Sequence, residues 1–145
     1  IHSRLPVVLP ERVTTDLVAT LANARCKITM VIHSNHPNEL NAITQRALSC
    51  LRRIGVTLLN QSVLLNGINN DAQTLVKLSE LLFEQGVLPY YLHQLDRVRG
   101  AAHFAVPDAV ALELHAALVA RLPGYLVPRL VREIPGASSK TPVVE

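Results

Sequence analysis

The chain has few aromatic residues, few cysteines and few lysines, and it lacks any long apolar run. Only three Tyr and two Phe are present although 49% of the 145 residues are hydrophobic, so the core must be built from Leu, Val, Ile and Ala. That composition is typical of α/β proteins with buried parallel strands. No apolar run approaches the roughly 18 residues of a membrane-spanning helix, and the first residues do not resemble a signal peptide. We therefore expect no membrane association.

The two cysteines, Cys26 and Cys50, lie far apart and form no CxxC pattern. This excludes a disulfide framework and a cysteine-based metal knuckle, and it favours a reducing, cytoplasmic compartment. The net charge of +3 is small, and no run of Lys or Arg is long enough to follow a phosphate backbone, so we expect no nucleic-acid partner. The length suits one domain. Because the chain opens without Met, on what resembles the end of a strand, we expect it to be part of a longer protein.

Strand-like and helix-like segments alternate along the chain. Strands are predicted at 27–34, 56–65, 87–96 and 125–134, and helices from Thr14 or Thr15 and at 36–55, 72–86 and 108–124. Thr14 or Thr15 can cap the first helix, and Asp71 can cap the helix at 72–86. Alternation with short linkers predicts βαβ units and a parallel sheet. Right-handed crossovers place all helices on one side if such a sheet curves into a barrel. The pattern predicts an α/β fold of about four βα units, roughly half of a barrel, with open sheet edges that something else must cover.

Polar side chains that could support chemistry follow the predicted strands: His33, Gln61, Asp96, Glu133 and Lys140. Barrel enzymes and open α/β sheets both build their active sites at the carboxyl ends of strands. Lys140 is one of only three lysines and follows a Gly-Ala-Ser-Ser segment, whose small residues allow close approach of a ligand. A partly desolvated lysine amine can form a Schiff base. The alternative is an exposed lysine in a C-terminal tail.

Asp96 and Glu133 each lie at the end of a predicted strand. Two carboxylates that converge there can bind the ammonium group of a substrate through charge-assisted hydrogen bonds. The alternative is that they are acids of the loops, and that Asp96 pairs with Arg97 or Arg99.

Two further polar stretches leave their roles open. The segment "HSNHP" carries His33 and His36 but none of the additional ligands that a metal site needs, so we predict no metal. His36 would serve the start of the next helix. His33 would either form a structural hydrogen bond or face a cavity. Asn60, Gln61 and Ser62 lie in an otherwise apolar strand. Buried polar side chains must be paired, here either by a ligand or by neighbouring backbone.

Several stretches, taken together, resemble the C-terminal half of the lysine 2,3-aminomutases. They are "SRLPVVLPERVT", "HSNHPNEL", "LLNQSVLLNGINND", "LPYYLHQLD", "GAAHF", "GYLVPRLVREI" and "PGASSKTPV". The members of that family are radical S-adenosylmethionine enzymes that also carry pyridoxal phosphate. "YYLHQLD", "GAAHF" and "REI…SKTP" are most similar to the bacterial branch that makes (R)-β-lysine for the modification of elongation factor P. The implied fold is half of a radical-SAM-type partial TIM barrel.

The resemblance implies a role for each candidate residue. The lysine that carries pyridoxal phosphate falls on Lys140, within a cofactor-lysine loop and tail at 135–145. The two acids that hold the side-chain ammonium of the lysine substrate fall on Asp96 and Glu133, although the family often has Asp at the second position. Gln61 and His33 match positions near the S-adenosylmethionine pocket. The implied reaction converts L-α-lysine to (R)-β-lysine by 5′-deoxyadenosyl radical chemistry.

The chain also departs from the family pattern. Its "GASS" replaces a Gly-rich run, and Asp71 stands where clostridial-type relatives have a zinc-binding cysteine, so we predict no zinc. The CxxxCxxC motif that would ligate a 4Fe-4S cluster is absent and would lie before Ile1, in the missing N-terminal half of the barrel. We therefore expect this chain alone to be inactive. The rival interpretations are a half-barrel that self-associates as a homodimer without catalysis, and a pyridoxal-phosphate enzyme without radical chemistry.

Overall fold

In the part of the chain that the structure describes, six strands form a single sheet in chain order. The structure, a computed structural model, describes residues 1–96 and 99–144. The strands are β1 (His2–Ser3), β2 (Thr29–His33), β3 (Thr57–Val63), β4 (Val87–His93), β5 (Arg129–Arg132) and β6 (Thr141–Pro142). β1 to β5 are parallel, and β6 runs antiparallel to β5. The predicted α/β fold with parallel strands is confirmed.

Helices occupy every connection between the parallel strands. They are α1 (Leu5–Val8), α2 (Thr15–Ala22), α3 (Ala42–Arg53), α4 (Ala72–Glu84) and α5 (Asp108–Arg121). The strand order contains no reversal among β1 to β5, which is the progression of a βα barrel rather than of a doubly wound sheet. Among the described residues, no helix has both the length and the apolarity needed to cross a membrane.

Side-chain caps explain where α2, α3 and α4 begin. Thr14 caps α2, and Asp71 caps α4 by accepting a hydrogen bond from the backbone N–H of Thr74 at 2.8 Å. Both caps agree with the sequence-based prediction. For the helix predicted at 36–55, the predicted start was wrong. Pro37–Glu39 forms a separate 3-10 turn, and α3 starts only after Asn41, whose side chain caps its first turn.

The C-terminal elements also differ from the prediction. The helix predicted at 108–124 ends at Arg121 because the residue before Pro123 is extended, as a following proline favours. The strand predicted at 125–134 is confined to β5, since Gly124–Leu126 forms a 3-10 turn. β6 was not predicted, and it lies within the 135–145 tail.

The described helices that contribute to the core pack on one face of the sheet. A first cluster joins Met30, Ile32, Leu58 and Val87 of the strands to side chains of α1, α3 and α4, and a second joins Leu92 and Leu130 to α4 and α5. Because side chains alternate along a strand, the residues between these point to the opposite side, which we call the second face. Its members include Val31, His33, Leu59, Gln61, Val63, Tyr91, His93 and Val131.

Candidate functional site

The register of the sheet aligns polar side chains near the carboxyl ends of the strands. His33 of β2 is paired with Gln61 of β3, which is paired with Tyr91 of β4. Partners in a parallel ladder share a face, so these three side chains form a row on the second face. A bulge between Asn60 and Gln61 sets this register.

The next row on the second face, which contains His93, lies near Glu133 and Lys140. His93 of β4 is paired with Val131 of β5, two residues before Glu133. β6 pairs Thr141 with Arg132, so Lys140 and Glu133 lie opposite each other just beyond the ladder. The fold therefore brings together a glutamate and a lysine that the sequence separates by a turn.

Lys140 and Glu133 form an ion pair. Lys140 Nζ donates a hydrogen bond to Glu133 Oε1, with 26% of the lysine side chain and 55% of the glutamate side chain exposed. The same Nζ lies 5.8 Å from the centroid of the Tyr91 ring, within the range of a cation–π contact. Lys140 is thus held over the second face rather than extended into solvent as part of a free tail.

His93 lies in the electrostatic field of all the charged candidates. Burial lowers its pKa most, and the positive charge of Lys140 lowers it further, whereas the carboxylates of Glu133 and Asp96 act in the opposite direction. His33 also contributes. Since charge interactions of this kind weaken with distance, the predicted site residues near the ends of β2, β4 and β5 lie close enough to this imidazole to affect its pKa.

Three polar atoms on the second face are buried without a hydrogen-bond partner in the described part of the chain. They are His33 Nε2, Gln61 Oε1 and His93 Nε2. Burial is also the main cause of the lowered pKa of His33, followed by the positive charges of Arg4, His2 and Lys140. Unpaired buried polar atoms are uncommon in native proteins. A polar ligand or another protein segment at this face would satisfy them.

The two polar neighbours of Gln61 on β3, Asn60 and Ser62, are paired by hydrogen bonds. Asn60 accepts a hydrogen bond from Ser34 N at 2.8 Å and donates one to Ser34 O at 3.1 Å, and Ser62 Oγ donates to the same carbonyl at 2.8 Å. Of the polar run in this strand, backbone satisfies Asn60 and Ser62, while Gln61 remains available on the second face.

The remaining residues singled out from the sequence are Asp96, His36 and Asp71. Asp96 is exposed, and it forms no ion pair within residues 1–96 and 99–144; Arg97, one of its predicted partners, lies outside the described residues. His36 Nδ1 accepts a hydrogen bond from Asn38 N at 3.1 Å, so it does serve the start of the next segment. Asp71 is committed to capping α4.

Sequence reasoning missed His93 and Tyr91 as members of this site. Both lie on β4, and their rings contact each other in a T-shaped arrangement with centroids 5.6 Å apart. A histidine at the end of an apolar strand, three residues before Asp96, was the available signal. Only the register with β3 and β5 shows that these rings share a face with Gln61 and Glu133.

We expect the pKa of Glu133 to rise toward its ordinary value when Lys140 is replaced by methionine. The hydrogen bond from Lys140 is the largest cause of the lowered pKa of Glu133, ahead of the charge of Lys140. The lowered pKa means that the pair stabilises the fold above the ordinary carboxyl pKa and that this contribution is lost as the pH falls through the lowered pKa. The contribution is small because the pair is largely solvent-exposed.

The measurement is an NMR titration of the Glu133 side-chain carboxyl carbon in both proteins. Asp71 is the internal control, because its pKa is lowered mainly by hydrogen bonds from Thr74 and should be the same in both. A Glu133 titration that is unchanged in Lys140→Met would contradict the ion pair.

The predicted resemblance to lysine 2,3-aminomutases is confirmed by relatives that align over nearly the whole chain. An L-lysine 2,3-aminomutase of Escherichia coli (strain K12) is 54% identical over 143 residues, which cover 99% of this chain and 42% of that relative. The protein of the same name from Haemophilus influenzae is 52% identical over 141 residues, covering 97% of this chain and 42% of the relative. The one from Clostridium subterminale is 40% identical over 144 residues, covering 99% and 34%.

These alignments show similarity to part of each relative. The chain spans between 34% and 42% of the length of the three relatives. No family model matches the chain.

Proposed function

We propose that this chain is part of an aminomutase that converts L-α-lysine to (R)-β-lysine for the modification of elongation factor P. The similarity to L-lysine 2,3-aminomutases over nearly the whole chain supports the reaction. The observation that carries the proposal is that Lys140 and Glu133 lie opposite each other over the Tyr91 ring, where the charge of Asp96 also acts on the neighbouring His93. An amine and two carboxylates at one sheet edge are the groups that a Schiff base and an ammonium-bearing substrate require.

The residues at this edge fit pyridoxal phosphate. Lys140 supplies the amine, the Tyr91 ring lies beneath it, and the same face of the sheet contains a buried imidazole nitrogen without a partner among the described residues. When bound, pyridoxal phosphate supplies an electron sink for chemistry at the carbon that bears the amino group. The chain supplies the attachment point and the second face of the sheet as one wall of the pocket.

S-adenosylmethionine fits the neighbouring row. His33 and Gln61 each present a buried polar atom without a partner in the described ranges, and they lie side by side on β2 and β3. Together with a 4Fe-4S cluster in the rest of the parent protein, S-adenosylmethionine would supply the 5′-deoxyadenosyl radical. No ligand of that cluster is proposed within this chain.

Glu133 has two successive partners in this scheme. It binds the ammonium of Lys140 in the structure, so holding the substrate ammonium requires Lys140 to leave that carboxylate for the cofactor. Asp96 would hold the same substrate ammonium from the end of β4. Fixing the far end of the substrate determines which of its carbons faces the radical.

We propose that the chain alone is inactive and that its natural partner is an N-terminal half of the barrel. The sequence contains no CxxxCxxC, and β1 is a two-residue strand at the edge of the sheet, where a further strand can pair. A homodimer without catalysis is the rival proposal. Light scattering of the isolated chain distinguishes the two, since only self-association predicts a dimer that binds no pyridoxal phosphate.

The test of the cofactor site is chemical labelling. Excess pyridoxal phosphate followed by borohydride fixes the Schiff base irreversibly, and peptide mapping locates the modified lysine. We expect the label on Lys140. Lys27 and Lys77 are internal controls, because Lys27 precedes β2, at the opposite end of that strand from His33, and Lys77 lies on α4. Preferential labelling of either control would overturn the assignment. Turnover of an amino acid by the chain without a cluster would favour the non-radical enzyme.

A further inference from the structure

We infer that His93 is a further ligand-contacting residue of the Lys140 site, and that its Nε2 forms a hydrogen bond with a polar atom of the carbonyl compound that Lys140 carries. The inference rests on the proposed role of Lys140 as a Schiff-base lysine. It adds a second residue of β4, beside Tyr91, to a site whose charged groups lie beyond the strand ends.

The first observation is that His93 is buried with an unsatisfied nitrogen. Only 6% of the residue is exposed, and Nε2 has no hydrogen-bond partner within residues 1–96 and 99–144. Leaving a buried polar atom unpaired costs free energy. Such an atom is explained where a bound molecule satisfies it.

The second observation is the position of the ring. Its ladder partners on both sides are valines, Val63 and Val131, whose side chains offer no hydrogen bond. Tyr91, two residues earlier on the same face, contacts the imidazole with its ring and also lies under Lys140 Nζ. His93 and Lys140 therefore share one aromatic neighbour, so a ring-sized molecule attached to Lys140 comes within reach of the imidazole.

The third observation is the charge balance. Burial and the positive charge of Lys140 lower the pKa of His93 and so favour the neutral form of the ring. A neutral imidazole has one donor and one acceptor nitrogen. It can therefore pair with a hydroxyl, a phenolate or a ring nitrogen without adding a charge to a site that already contains Lys140, Glu133 and Asp96.

The direct test is NMR of the chain labelled with 15N in its histidine rings. Pyridoxal phosphate is added in excess and fixed with borohydride. We expect the Nε2 signal of His93 to shift, while that of His115, whose Nε2 lies 3.0 Å from Pro128 O, stays unchanged. In Lys140→Met both the label and the His93 shift should be lost.

Two variants provide an independent measurement. His93→Phe keeps a ring but removes the nitrogen, and we expect it to weaken the apparent affinity of Lys140 for pyridoxal phosphate by about tenfold, as the loss of one hydrogen bond predicts. His93→Gln, which retains a nitrogen at similar reach, should restore part of that affinity. Circular dichroism shows whether each variant is folded, and the NMR test of the unmodified chain does not depend on them.

The outcomes separate this inference from the proposed function. If Lys140 of the unmodified chain takes up no label, the cofactor role of Lys140 fails and this inference fails with it. If Lys140 is labelled but the His93 signal does not move, only the inference is overturned. A shift of His93 together with the tenfold loss in His93→Phe supports both.

Discussion

Replacing Asn60 by leucine is expected to lower the free energy of unfolding by about 3 kcal/mol, because three hydrogen bonds, two with Ser34 and one with Ser62 Oγ, are lost and one buried donor is left unsatisfied. Asn60 is 1% exposed and binds both the N–H and the C=O of Ser34, whose backbone is equally buried. Leucine has a similar volume but leaves the Ser34 N–H without a partner. Ser62 continues to satisfy the carbonyl, so the penalty comes from one orphaned group rather than two.

The measurement is chemical and thermal denaturation, with an expected decrease in melting temperature of about 10 °C. Gln61→Leu is the matched control. It makes the same substitution one residue along β3, but the side-chain oxygen it removes has no partner, so its effect should lie within about 0.5 kcal/mol. Equal destabilisation by the two variants would contradict the assignment of Asn60 and Gln61 to opposite faces with different pairing.

Strand β3 shows which features of the structure the sequence predicts and which it does not. Alternation along a strand is enough to separate Asn60 and Ser62 from Gln61, and the pattern correctly required each of them to be paired or available to a ligand. The partner of Asn60 is the backbone of Ser34, 26 residues away. That contact depends on the register between β2 and β3, which local propensity does not contain.

Local signals were reliable where the interaction is local. The caps at Thr14 and Asp71 were predicted because a side chain binds a backbone N–H three residues later. The start of α3 was mispredicted because Pro37 favours both an α-helix and a 3-10 turn at its first position. The competing cap at Asn41 then decided where the longer helix begins.

The site required information that the sequence pattern lacks. β6 is two residues long and contains a proline, so it has no strand signal of its own, yet it brings Lys140 opposite Glu133. Proline is tolerated there because β6 is an edge strand. Without that pairing, the sequence pattern gives no contact between Lys140 and Glu133.

Asp96→Asn and Glu133→Gln are each expected to reduce kcat/KM for lysine by roughly 10- to 100-fold in the longer protein that we propose, as the loss of a hydrogen bond to a charged group predicts. An uncharged amino acid of similar length should lose much less, so the selectivity for lysine should decrease by a similar factor. The measurement is the formation of β-amino acid from the two substrates in competition. Asp16→Asn, a change on α2 with the same chemistry, is the control.

Glu133→Asp separates the two partners of this carboxylate. It retains the charge, and the resemblance implies that Asp is acceptable for binding substrate, so turnover should remain within several-fold of the unmodified protein. Its shorter side chain should weaken the ion pair with Lys140 before cofactor binding, because that pair depends on reach across the β5–β6 end. If Glu133→Asp lost as much activity as Glu133→Gln while Lys140 still took up pyridoxal phosphate, the length of the side chain rather than its charge would be the requirement, and the ammonium-binding role of Glu133 would be wrong.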